Sequence, residues 1–129
     1  MTNLLAILAC IAMTESNGDP NAVGVADDIG ILQITPIMVQ DMAERYPHMR
    51  FTPGDRWSPK RSAQMCLCYW HTYCTVRRLG RVPTEEDYVM CLHQGPNWYK
   101  QPRDEQHWRR YQWWKTVPVN LRMFEEGGA

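Results

Sequence analysis

No stretch of these 129 residues approaches the roughly 20 consecutive apolar positions that a membrane-spanning helix requires, so no membrane partner is expected. Neither charge predominates. The 14 Lys and Arg are matched by 14 Asp and Glu, leaving no general field to draw in nucleic acid or an acidic surface. Phenylalanine is scarce, with two against six Trp and six Tyr, a balance that favours rings with one wet polar edge. Such rings suit a groove for carbohydrate, whose apolar faces stack on them, and they suit a core equally well. The five cysteines are an odd number and lack the spacing of a small secreted domain, which argues against a disulfide framework and for reduced thiols. Internal repeats are missing, as is the strand and helix alternation of a parallel sheet.

What is present suffices for one core: 44% of the residues are hydrophobic, enough for a single domain without covalent staples. The dense apolar positions from Leu4 to Glu15 predict a helix buried on most sides, stopped by Asn17, Gly18, Asp19 and Pro20. "NAVGVADDIGILQI" carries Gly24 and Gly30 around Asp27 and Asp28 with β-branched arms, which predicts a small hairpin. Thr35 with Pro36 and Ser58 with Pro59 are cap-and-proline starts, the second opening a long helix to Leu79 and Gly80. Thr84 with Asp87 starts a fourth helix that Gly95 and Pro96 end, and a fifth is expected over 104–116. The expected class is α+β, mainly α, with five helices and one small β-hairpin. The domain should cover 1–118, followed by a C-terminal tail, 119–129, whose "EEGGA" end reads as frayed.

Two segments offer competing readings. Cys66, Cys68, His71 and Cys74 lie close together in "CLCYWHTYC", but on a helix Cys66 and Cys68 point to nearly opposite sides. A tetrahedral zinc site would require a non-helical segment, and no metal is expected. The apolar N-terminal run resembles a leader in hydropathy but has no Lys or Arg ahead of it, and cleavage there would remove the helix that carries Glu15. It is read as a core helix. With no signal peptide visible, a phage-encoded protein or one exported by a non-classical route is expected.

A glutamate at the end of an apolar helix is either a solvated terminus or a carboxyl built into a cleft wall. Glu15 is followed by Ser16, then by "GILQI" from Gly30 to Ile34 and later by "HQGPNW", which closes a helix. This order and spacing resemble the lysozyme-like domain of the soluble lytic transglycosylases, most closely the short stand-alone members, which also carry a turn like Asp55, Arg56 and Trp57. The resemblance spans about Leu4 to Val117. It departs from the family pattern where the usual Asn falls at His93 and the preceding aromatic at Leu92.

The resemblance implies an enzyme that cleaves the MurNAc-GlcNAc bond of peptidoglycan without water and leaves a 1,6-anhydro end, with Glu15 as its only acid and base. It further implies that Ser16 orients the carboxyl, that Gln33 and the backbone at Gly30 and Ile31 contact the N-acetyl sugar, and that His93 stands in for the Asn. Trp98 and Tyr99, after the turn, are candidates to stack on sugar or to fill the core. Physical reasoning on Glu15 alone points the same way. The negative end of a helix and an apolar wall both disfavour the charged carboxylate, so its pKa is expected to be raised. A hydrolase on the same fold would need a second carboxylate, for which Asp27 and Asp28 are the candidates, more often turn residues in such a position. A weak glycan-binding domain is the third reading. "RDEQHWRRYQWWK" mixes bases with aromatics, but interleaved acids on an amphipathic helix argue against nucleic acid. No organic cofactor is implied, and a monomer is expected.

Overall fold

The computed structural model describes residues 3–125. It is mainly helical, with α1 (Leu4–Ser16), α2 (Pro36–Arg45), α3 (Pro59–Tyr73), the single turn α4 (Val76–Leu79), α5 (Glu85–Gln94) and α6 (Glu105–Trp114). The starts follow the predicted chemistry. Thr35 Oγ1 accepts from the Met38 amide at 3.1 Å, and Ser58 Oγ accepts from the Arg61 amide at 3.1 Å, each ahead of a proline in the first turn. Thr84 and Asp87 exchange side-chain bonds with each other's backbone at the start of α5, a capping box.

The predicted third helix is interrupted. Thr75 opens a new cap, with Oγ1 accepting from the Arg78 amide at 3.2 Å. The Arg78 guanidinium donates to the Tyr73 and Pro96 carbonyls at 2.9 Å each, tying the end of α3 to the turn after α5. Because α3 is helical through Tyr73, Cys66 and Cys68 differ in setting, the first buried and the second only partly so, and all five cysteines are free. No helix among the described residues is long and apolar enough to cross a membrane.

α1 is the centre of the domain, packed against α5, α6 and a 3-10 turn at Leu121–Phe124. Ile7, Leu8, Ala9, Cys10, Ile11 and Ala12 are consecutive buried residues, so the helix has no solvent stripe over that stretch, although Leu5 is exposed. Leu8 is fully buried. Leu8→Ala should lower unfolding free energy by about 2–5 kcal/mol, read by chemical denaturation, through lost burial and a residual cavity. An unchanged denaturation midpoint would mean that α1 is not part of the core.

Two expectations are corrected here. Among the described residues no strand forms between 22 and 34. Only isolated bridges pair Val23 with Ile29 and Ile29 with Ile34. Ala26, Asp27 and Gln33 take left-handed backbone angles, which break an extended ladder before it can propagate. The segment is instead a compact loop clamped from outside. Arg56, buried in the 3-10 turn Pro53–Trp57, donates to the Asp27, Ile34 and Pro53 carbonyls at 2.8, 3.3 and 2.9 Å. Gly30 lies against the same turn with φ +87°, and a Cβ there would stand 1.9 Å from the Arg56 carbonyl oxygen. The second correction is the tail. Phe124 is buried in the core, and its turn packs on α1 and α3, so the domain runs past 118. Residues 126–129 of the expected tail lie outside the described residues.

Candidate active site

A cleft of about 490 Å³ opens where the end of α1, the 22–34 loop, α2, α3 and the C-terminal end of α5 meet. Glu15, Asp28, Gln33 and His93 line it together with Asp41 and Tyr73. Glu15 is the penultimate residue of α1, and its side chain is about three-quarters covered. The wall beside it is not purely apolar. His107 Nε2, from the buried face of α6, lies 2.8 Å from Glu15 Oε1, and His93 Nδ1, from α5, lies 3.7 Å from the same oxygen.

The two rings stack with centroids 3.5 Å apart and planes 13° from parallel. One carboxylate sets both. Asp104 caps α6 by accepting from the His107 amide at 3.1 Å through Oδ1, and accepts from His93 Nε2 at 2.8 Å through Oδ2. The Gln94 side-chain oxygen accepts from the Asp104 amide at 2.9 Å and fixes that cap against α5.

These contacts reverse the expectation for the glutamate. Burial pushes the Glu15 pKa up, as foreseen, but the His107 hydrogen bond and the neighbouring His93 outweigh it and hold the carboxyl at about 2. His93 moves the other way: burial lowers it, and Glu15 with Asp104 raises it above the ordinary imidazole value. Asp28 is raised, first by burial and then by the Glu15 charge, and its Oδ1 is buried with no partner among the described residues. Asp27 is turned outward and faces Arg56 at 3.9 Å. The adjacent acids of the loop are thus separated, one in the cleft and one outside it.

Other candidates sit differently from their expected roles. Ser16 does not touch the Glu15 carboxyl. Its Oγ lies 2.7 Å from the Ile31 carbonyl and 3.1 Å from that of Ala12, pinning the loop to α1. Ile31 is buried, and Gly30 packs on the Arg56 turn rather than lining the cleft. Gln33 does line it, with its amide nitrogen engaged by the Ala22 and Gly30 carbonyls at 3.2 and 2.9 Å. Trp98 is buried, donates to Asp87 Oδ1 at 3.1 Å and carries Tyr99 on its edge, so this pair borders a different depression near α5's start. Neither ring lines the cleft that holds Glu15.

No motif in the sequence marks His107. Its signal is a histidine on the stripe it shares with Tyr111, four residues on, the two buried residues of this helix.

Glu15, His93 and His107 each present a possible metal-ligand atom, all within 4.8 Å of one another. Imidazole binds a metal in its ring plane. Two nearly parallel rings 3.5 Å apart direct their lone pairs side by side, so a shared ion would need at least one ring to rotate. As built, the trio is an acid–base cluster held by hydrogen bonds.

No curated protein and no solved structure matched the chain. The model of the transglycosylase SLT domain matches residues 2–82, which take in Glu15, the 22–34 loop and the Arg56 turn and stop short of His93 and His107. By this match over more than half its length, the chain belongs to the transglycosylase SLT domain family, lytic transglycosylase-type domains that act on peptidoglycan.

Proposed function

We propose that this chain cleaves the β-1,4 bond between MurNAc and GlcNAc by intramolecular transglycosylation and leaves a 1,6-anhydroMurNAc end, with Glu15 as the residue that handles the proton. The observation that carries this reading is the placement of Glu15 in the wall of an open cleft, with its carboxyl fixed by imidazoles on one side and reachable from the other. The carboxyl delivers a proton to the bridging oxygen as the C1–O4 bond breaks. It then accepts the proton of the muramoyl 6-hydroxyl as that oxygen closes on C1. The nucleophile belongs to the substrate, so its effective concentration is high and no water needs activation. Gln33 and the backbone beside it would bound the N-acetyl sugar.

A hydrolytic reading has one observation in its favour. Asp28 shares the cleft with Glu15, and their environments push the two carboxyls in opposite directions, an arrangement that can divide acid and base roles. Mass spectrometry of muropeptides released from purified sacculi in heavy-oxygen water decides between them. The expected products carry anhydro ends, about 18 Da lighter than hydrolysed ones, and contain no oxygen from solvent. Asp28→Asn should keep substantial activity. Reducing ends labelled from the solvent, with severe loss in Asp28→Asn, would establish the hydrolase. No release at all would leave a glycan-binding domain.

A further inference from the structure

We propose that Glu15 does not store the catalytic proton itself: His93 holds it on Nδ1 and passes it to Glu15, with Asp104 behind His93 and His107 as a fixed donor beside them. This rests on the glycan-cleaving reading above and concerns where its proton resides between turnovers.

The geometry distinguishes the two rings. Asp104 Oδ2 accepts from His93 Nε2 at 2.8 Å, so that nitrogen carries hydrogen, while Nδ1 faces Glu15 Oε1 at 3.7 Å. A ring between two carboxylates is favoured with a proton on each nitrogen, since a bare Nδ1 would turn a lone pair toward an anion. His107 is different. Its Nδ1 is buried with no partner among the described residues, and its Nε2 lies 2.8 Å from Glu15. Only the tautomer with hydrogen on Nε2 both donates to Glu15 and leaves no buried N–H unpaired. That proton stays in place, so the movable one is on His93. Stacking at 3.5 Å lays the His93 ring over the face of His107 and holds the two in register.

The charged or titratable groups around His93 are Glu15 from α1 and Asp104 and His107 from α6, with Asp28 of the loop acting on Glu15. The two anions outweigh burial and raise His93 above its ordinary 6.5.

The proton balance closes without a co-reactant. As the bridging oxygen enters, His93 Nδ1 closes on Glu15 by about 1 Å to hydrogen-bond distance and transfers its proton. Glu15 gives that proton to the bridging oxygen as C1–O4 breaks. The 6-hydroxyl oxygen forms the new bond to C1, and its proton returns through Glu15 to His93. One proton is lent and one recovered, and His93 acts through Glu15 rather than on the sugar.

The test compares pH profiles of sacculus cleavage by the full chain and by His93→Asn, with NMR titration of the His93 ring in the parent and in Glu15→Gln. In the parent, activity should persist at neutral pH and be lost as pH rises through the raised His93 value. In His93→Asn the proton must reside on Glu15, so the alkaline limb should move toward acid by about two pH units or more, with at least about a tenfold loss at pH 7. The His93 ring should titrate lower in Glu15→Gln than in the parent, because its facing anion is gone. A His93→Asn profile scaled down with an unmoved limb, or a His93 titration identical in parent and Glu15→Gln, would overturn the relay. Should the parent cleave nothing at any pH, the functional reading fails, and the NMR comparison alone then decides where the proton resides.

Discussion

Glu15→Gln should lower sacculus clearing by a factor of about a hundred or more while the protein still unfolds cooperatively. The amide nearly matches the carboxyl in shape, and its oxygen can still accept from His107 Nε2, now 2.8 Å from Oε1. It cannot give up or take a proton at the bridging oxygen, so chemistry is lost and the fold is not. A variant that clears sacculi at more than about a tenth of the parent rate would remove Glu15 from the chemistry altogether. The same substitution has a signature in stability. Glu15 titrates at about 2 when folded against an ordinary 4.5, so the stability it contributes is fully present above 4.5 and lost as pH falls toward 2. The parent should therefore lose more stability than the variant across that window, with Asp87, also depressed, adding the same slope to both.

Arg56→Ala is the structural counterpart, with an expected loss of about 2–4 kcal/mol in unfolding free energy. The guanidinium is almost wholly buried and serves three carbonyls, two of them in the 22–34 loop; without it the Asp27 and Pro53 carbonyls lose this donor, while that of Ile34 keeps the Ile29 amide at 3.2 Å. The loop carries Asp28 and Gln33 into the cleft, so activity should fall with stability even though Arg56 lines no part of it. Urea denaturation and sacculus clearing measured on the same preparation check both effects. A variant with parental stability would show that the Arg56 guanidinium is not what holds the loop.

The helices were legible because their signals are local. Thr35–Pro36, Ser58–Pro59 and Thr84 with Asp87 satisfy orphan amides within four residues, so the sequence contains the whole interaction. The loop reads as a hairpin for the opposite reason. Its β-branched residues favour strand, but its shape comes from a guanidinium 22 positions away from Ile34 in sequence, and no pattern within the segment encodes that bond. Glu15 and His93 stand out in the sequence through an order of motifs, whereas the chemical state of Glu15 depends on His107, 92 residues distant. Trp98 could not be sorted between sugar and core, since the choice depends on Asp87, a capping residue that also accepts the indole N–H.

The buried turn at Leu121–Phe124 carries a consequence for any shortened version of the protein. A chain cut at 118 would keep all six helices, the loop and every side chain that lines the cleft. It would also uncover the flank of α1 and α3 on which Phe124 sits, exposing apolar surface on the helix whose last turn holds Glu15. The expression boundary that looks most economical is thus the one that would bare the core flank of α1, and a fusion or tag belongs beyond residue 125, where the plug stays in its socket.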